Sequence, residues 1–185
     1  TPLYSSAASD VYKRQPIVSA DSQWYEKLGQ TNWPDEAWRD PWVYKSPEDN
    51  LWHMLITARA KGIGRVKGVV GHATSSDMLS WEVKEPLSEP NQGFAQLEVF
   101  QLVEVNGVPL LIFCCGWREL DDDLQLRVGQ TDATYSVVCN KDLSDIDFRQ
   151  AKPFLNVPVY AGRLVQNTAA VSYTHLRAHE TKANL

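Results

Sequence analysis

The sequence predicts an all-β protein that forms part of a β-propeller, and two observations support this prediction. Short apolar runs of strand length alternate with turn-forming residues along most of the chain, and helical apolar spacing is poor throughout. This pattern of four strands occurs twice and begins a third time near the end of the chain. Repeated four-stranded sheets are the blades of a propeller, and their first strands line a central channel. A β-sandwich, which is also built from short strands and regular turns, is the alternative architecture.

The first repeat unit spans about residues 40–90. Its four strands are predicted at residues 42–44, 51–59, 69–74 and 81–83. The segments between them are rich in Ser, Pro, Asp, Asn and Gly, which are the residues that turns require. Four strands joined in this way form an antiparallel meander, which is the topology of one blade.

The second unit spans about residues 95–155, and a third begins within residues 158–170. The strands of the second unit are predicted at residues 97–105, 109–115, 135–139 and 148–151. Asn106-Gly107 between the first two of these is a strong hairpin signal. Asp40 and Glu98 are predicted to hold matching places at the head of the first strand of each unit, so both should lie at one mouth of the channel.

Both ends of the chain resemble translated adapter sequence from shotgun library preparation. Residues 1–15 and 171–185 are therefore expected to be non-native, and residues 16–170 are expected to be an internal fragment of a propeller domain. His175 and His179 have the helical spacing of some metal ligands, but they belong to the adapter-like tail and are set aside. A start of this kind gives no information about a signal peptide or localisation.

The composition argues against several classes of partner. With 23 acidic and 18 basic residues the formal net charge is −5, and an acidic surface disfavours nucleic acid. The longest apolar run, residues 108–115, is too short to span a membrane. Cys114, Cys115 and Cys139 lack metal-ligand spacing and are expected to be small buried residues, so no cofactor or metal is expected. His53 and His72, within apolar strands, are expected to be core histidines.

The segment Trp38-Arg39-Asp40-Pro41-Trp42 carries the clearest chemical signal. It places an arginine and a carboxylate between two indoles. Aromatic faces pack on the C–H faces of sugars, while charged groups bind the hydroxyls. The chain also has seven tryptophans, a high number for its length. These features predict a small-molecule carbohydrate as the binding partner.

Arg39-Asp40-Pro41 resembles the Arg-Asp-Pro motif of glycoside hydrolase family 32 and its clan relatives, which include β-fructosidases, invertases and levanases. Glu98 lies where that family has its Glu-Cys-Pro motif, and residues 71–82 are similar to the third-strand and turn segment between the two motifs. The family is built on a five-bladed propeller. The resemblance therefore implies a partial five-bladed propeller of about two and a half blades.

The resemblance also implies a mechanism, a retaining displacement that uses three carboxylates. Carried over to this sequence, Glu98 is the acid/base and Asp40 is the transition-state stabiliser. The candidate substrate-binding residues are Arg39, Trp38, Gln96, Tyr160 and Arg163.

Two departures from the family pattern affect this interpretation. The family's nucleophile belongs to an Asn-Asp-Pro motif that does not occur here, so it is expected upstream and the fragment alone is expected to be inactive. Phe100 also replaces the proline of the glutamate motif. The predicted function is cleavage of terminal fructosyl linkages in sucrose or fructans. A propeller glycosidase acting on arabinosides or xylosides, and a non-catalytic carbohydrate-binding propeller, stay open as alternatives.

Overall fold

The fold consists of two antiparallel sheets, each with four strands, as described by a computed structural model for residues 18–154 and 159–164. The first sheet contains β1 (Arg39–Lys45), β2 (Trp52–Arg59), β3 (Gly68–Ser75) and β4 (Glu82–Lys84). The second contains β5 (Glu98–Val105), β6 (Val108–Cys115), β7 (Ala133–Val138) and β8 (Lys152–Pro153). Strand order follows the sequence in both sheets, so each is a meander. The predicted all-β, partial-propeller architecture is confirmed.

The second blade departs from the prediction after β6. A helix, α1 (Asp122–Val128), lies between β6 and β7, where the sequence shows no helical spacing. Asp121 caps this helix by accepting a hydrogen bond from the Leu124 backbone N–H at 2.9 Å. Leu124 is its only buried residue, which explains why no apolar stripe is visible in so short a segment.

The fourth strand of the second blade lies a few residues further along the chain than the predicted strand at residues 148–151. Phe148–Gln150 form a 3-10 turn instead of a strand, and β8 follows it at Lys152–Pro153. The Asp147 carboxylate accepts from the Arg149 backbone N–H at 3.0 Å and starts the turn. Phe148 is buried in the core, so its apolar character reflects core packing from a turn.

The Asn106-Gly107 hairpin joins β5 to β6 as predicted. Both residues have left-handed backbone angles, with φ of 52° at Asn106 and 80° at Gly107. Two successive positive φ values match the right-handed twist of the adjoining strands, and glycine adopts such a value without a Cβ clash.

The main apolar core lies between the two sheets. It is formed largely by the second blade, and Leu55 and Val70 contribute from the first. Cys114, Cys115 and Cys139 are free and buried, which confirms the prediction for the cysteines.

His53 and His72 contact each other across β2 and β3 of the first blade. His53 Nδ1 and His72 Nε2 are 3.0 Å apart, and His53 Nε2 is 2.9 Å from Asp49 Oδ2. Burial, together with the smaller effect of the nearby His53, lowers the pKa of His72 to about 4. His72 is therefore a satisfied, neutral core histidine, as predicted.

The adapter-like segments 1–15 and 171–185 lie outside the described residues, as do His175 and His179. Of the predicted third unit, 158–170, only residues 159–164 are described. Within the described ranges, no helix is long and apolar enough to cross a membrane.

Candidate active site

The heads of the first strands, β1 and β5, carry the same β-bulge. Arg39 pairs with Thr57 and the next pair is Trp42 with Leu55, so one residue is extra on β1. Glu98 pairs with Cys114 in β6, and the next pair is Gln101 with Ile112. Bulges of this kind re-aim side chains and are common beside active sites.

The bulge determines which residues of β1 and β5 occupy equivalent positions in the two blades. Its second residue is Asp40 in β1 and Val99 in β5, with left-handed φ values of 54° and 56°. The residue of β1 equivalent to Glu98 is therefore Arg39, and the predicted equivalence of Asp40 with Glu98 is wrong by one residue. In the third unit Ala161 has a similar φ of 56°, and Tyr160 precedes it as Arg39 precedes Asp40 and Glu98 precedes Val99.

These equivalent residues converge through hydrogen bonds. Arg39 Nη2 donates to Glu98 Oε1, and the Tyr160 hydroxyl donates to Glu98 Oε2. Arg39 Nε also lies 3.5 Å from Asp40 Oδ2, so one guanidinium links both predicted carboxylates. The structure thus brings together four of the predicted site residues, namely Arg39, Asp40, Glu98 and Tyr160.

The environment of Glu98 shifts the pKa of its carboxyl group upward. Its side chain is 14% exposed, and this burial is the largest cause that raises the pKa of Glu98. The hydrogen bond and positive charge of Arg39 lower that pKa, while the charges of Glu119 and Asp40 raise it. The net effect is a raised pKa, which suits a group that must hold a proton before it donates one.

Gln96 is a buried neighbour of this cluster. Its Oε1 accepts from Arg39 Nη2 at 2.6 Å, and its Nε2 donates to Glu119 Oε1 at 2.9 Å. Its backbone packs so closely on Gly68 of β3 that a Cβ there would lie 2.9 Å from Gln96 backbone atoms. Glycine at position 68 is therefore required for this contact between the blades.

The sequence profile of the glycosyl hydrolases family 32 N-terminal domain matches residues 10–169 of the chain. This chain belongs to glycoside hydrolase family 32. A comparison with curated protein sequences finds no match.

Solved structures share the fold of this family 32 chain. An inulosucrase from Halalkalicoccus jeotgali bound to kestose is 21% identical with a TM-score of 0.63, covering 80% of this chain and 40% of that one. A β-fructofuranosidase of family 32 from Bombyx mori is 19% identical with a TM-score of 0.55, covering 78% and 31%. A levansucrase from Gluconacetobacter diazotrophicus is 15% identical with a TM-score of 0.56, covering 80% and 40%. The family 32 chain thus spans 40% or less of the length of these proteins.

Two other predicted sugar-binding residues of the family 32 chain, Trp38 and Arg163, also contact the surrounding fold. The Trp38 indole packs on Tyr25, with ring centroids 4.8 Å apart, and its Nε1 donates to the Val18 carbonyl at 3.3 Å. Arg163 donates from Nη1 to the Phe100 carbonyl, and its guanidinium lies 5.3 Å from the centre of the Trp42 ring. Both side chains therefore make structural contacts.

Sequence reasoning missed Glu119, which contacts Gln96 and lies four residues past the end of β6, in the 3-10 turn Trp117–Glu119. Because β6 is antiparallel to β5, the end of β6 returns to the mouth where β5 begins. A carboxylate in the short loop that follows a predicted second strand was therefore the signal that could have identified it.

The chemistry available at this site is proton transfer and charge stabilisation by carboxylates. Among residues 18–154 and 159–164, no group of three or more His, Cys, Asp and Glu side chains is placed to hold a metal ion.

Proposed function

We propose that this chain is part of a longer family 32 glycoside hydrolase that cleaves terminal fructosyl linkages in sucrose or fructans with retention of configuration. The observation that carries this proposal is the Arg39 guanidinium, which joins Glu98 and Asp40 at the mouth of the first strands. The proteins with similar folds support a fructosyl substrate for this chain, since they include a β-fructofuranosidase and an inulosucrase bound to kestose.

Glu98 is proposed as the acid/base. In the first step its proton moves to the leaving oxygen as the glycosidic C–O bond breaks and an aspartate carboxylate bonds to the anomeric carbon. In the second step the Glu98 carboxylate takes a proton from water, which attacks the same carbon and releases the aspartate. A raised pKa supports the first role, because the group must be protonated near neutral pH.

Asp40 is proposed as the transition-state stabiliser. Its carboxylate is 36% exposed, and the left-handed bulge directs the residue away from the regular strand pattern. Hydrogen bonds from sugar hydroxyls to such a carboxylate strengthen as positive charge develops on the ring. Arg39 and Tyr160 are proposed as its neighbours in substrate binding.

The nucleophile is proposed to lie in a part of the longer protein that this chain does not contain. An Asn-Asp-Pro motif does not occur in the sequence. The chain alone is therefore expected to be inactive, and the experiment requires the full-length protein.

The test compares the full-length protein with its Glu98→Gln and Asp40→Asn variants on sucrose, inulin, levan and a panel of arabinosides. Loss of general acid catalysis should lower kcat by about 10²–10⁴ for Glu98→Gln. Glu104→Gln is the matched control, because Glu104 lies on the same strand and forms an exposed ion pair with Lys141. Undiminished activity in either site variant would remove its assigned role.

Product stereochemistry separates the proposed function from the alternatives. NMR of the first-formed product should show retained anomeric configuration on fructosyl substrates. A product of inverted configuration from an arabinoside would favour the alternative of a propeller glycosidase that acts on arabinosides or xylosides. Sugar binding without turnover would favour a non-catalytic carbohydrate-binding propeller.

A further inference from the structure

We propose that Glu119 and Gln96 are positioning residues that hold Arg39 against Glu98, and that Gln96 acts in this way instead of binding the sugar. The catalytic meaning of this arrangement rests on the function proposed above. The arrangement itself is testable in the chain without a substrate.

The contacts form a continuous series from Glu119 to Glu98. Glu119 accepts from Gln96 Nε2 at 2.9 Å, and Gln96 Oε1 accepts from Arg39 Nη2 at 2.6 Å. The same Arg39 nitrogen donates to Glu98. Each of these four residues therefore contacts the next through a polar side-chain atom.

The chemistry of the amide explains why the series has a direction. An ionised carboxylate only accepts hydrogen bonds and a guanidinium only donates them. Glu119 therefore requires the NH₂ end of the Gln96 amide, which leaves the carbonyl end for Arg39. If the Gln96 amide were flipped, its oxygen would face the carboxylate oxygen of Glu119, and its NH₂ group would face the N–H groups of Arg39. Neither pair can form a hydrogen bond.

Burial leaves Gln96 with little capacity for a sugar. Its residue exposure is 4%, and both ends of its amide are already paired. Its main chain is held by the close contact with Gly68. These observations favour a positioning role over the substrate-binding role predicted from the sequence.

Glu119 is itself fixed by the backbone. It ends the 3-10 turn Trp117–Glu119, and its N–H donates to the Gly116 carbonyl at 3.0 Å. Its carbonyl accepts from the Ala95 N–H at 2.8 Å, next to Gln96 in the sequence. The turn after β6 and the segment before β5 are therefore joined at the point where the two side chains meet.

Charge alone is the competing explanation for any effect of Glu119. The titratable and charged groups that face Glu98 are Arg39 and Asp40 from β1, Cys114 and Cys115 from β6, Glu119 from the turn, and Tyr160 from the third unit. Since the Glu119 charge raises the pKa of Glu98, the experiment must separate the hydrogen-bond acceptor from the charge.

The experiment records the side-chain NMR signals of Arg39 in the full chain. A free guanidinium rotates quickly and averages its Nη protons, whereas an Nη2 held by two acceptors gives separate signals. Separate signals are expected in the unsubstituted chain, in the Glu104→Gln control and in Glu119→Gln, which keeps an acceptor without charge. Averaged signals are expected in Gln96→Met and Glu119→Met, because the methionine side chain has about the length of the original side chain but lacks its hydrogen-bonding oxygen and nitrogen atoms.

Separate Arg39 signals in Glu119→Met would overturn the proposal, because Glu119 would then be unnecessary for holding Arg39. Averaged signals in Glu119→Gln would overturn it in favour of a charge effect. If a methionine variant loses the backbone amide spectrum of β5 and β6, Gln96→Asn and Glu119→Asp replace it. Each is one methylene shorter, withdraws the contact, and should give the same averaged signals.

Full-length protein then links the arrangement to catalysis. Gln96→Met should lower kcat by about 10²-fold through misplaced catalytic groups, with little change in KM. A raised KM with unchanged kcat would instead make Gln96 a sugar-binding residue and overturn the proposal. An inactive full-length protein with separate Arg39 signals would remove the proposed function but leave the positioning contacts in place.

Discussion

Arg39 and Glu98 occupy the same register position in successive blades, and the guanidinium of the first donates a hydrogen bond to the carboxylate of the second. Each pairs with the second strand of its own blade immediately before a bulge. The acid/base candidate and its cationic partner are thus held by equivalent pieces of backbone. The geometry of the pair is determined by how the two blades pack.

We expect Glu98→Gln to stabilise the chain near neutral pH. The folded state raises the pKa of Glu98 above its value in the unfolded chain, so ionisation at pH 7 opposes folding. This cost disappears as pH falls through the folded pKa, where the carboxyl is protonated in the fold. The gain should be on the order of 1 kcal/mol at pH 7 and smaller at pH 4. Urea unfolding at both values measures it, and a loss of stability at pH 7 would contradict this prediction.

We expect Glu26→Gln to be strongly destabilising. Glu26 is buried, and its Oε2 lies 2.9 Å from Arg59 Nε and 2.7 Å from Lys67 Nζ, both of which are also buried. Removing this charge leaves two buried cations without their anion, which costs about 3–5 kcal/mol. Glu104→Gln removes an exposed ion pair and should cost about 0–1 kcal/mol. Urea unfolding at pH 7 compares the two, and equal losses would show that the buried cations find other partners.

We expect Gly93→Ala to destabilise the chain more than Gly107→Ala. Both glycines have left-handed backbone angles, with φ of 97° and 80°, so both variants introduce strain of about 1–2 kcal/mol. A Cβ at Gly107 meets no atom within 4 Å, whereas one at Gly93 would lie 2.2 Å from Leu124 Cδ1. Overpacking should add about 1–3 kcal/mol at Gly93 alone. Thermal unfolding of the two variants gives the difference, and equal losses would mean that α1 moves aside freely.

The sequence was sufficient for features that depend on local chemistry. The strands of the first blade follow from apolar runs and turn residues, and the hairpin follows from Asn106-Gly107. The convergence of Asp40 and Glu98 at one mouth followed from the order of strands. These predictions need only the periodicity of one strand and the connection to the next.

Features that depend on pairing with another strand were missed by counting along single strands. The bulge at Asp40 is defined by the residues of β2 that face it, so counting along β1 gave an equivalence one residue away. Glu119 reaches Gln96 only because β6 returns beside β5. Phe148 looked like a strand residue because burial, and not strand pairing, determines its apolar character.

The bulge that recurs at the heads of β1 and β5 has one backbone conformation but carries side chains of different chemistry. Its first position holds Arg39 in β1 and Glu98 in β5, and Tyr160 of the third unit also precedes a left-handed residue. The three left-handed residues have φ between 54° and 56°. One backbone conformation thus presents a cation, a carboxylic acid and a phenol toward the same axis. Exchanging the residue at this position would change the charge and hydrogen bonding at the blade heads while the strand pairing below it stays as it is. Under the proposed function, the blade heads are the positions at which substitutions would redirect specificity without changing the fold.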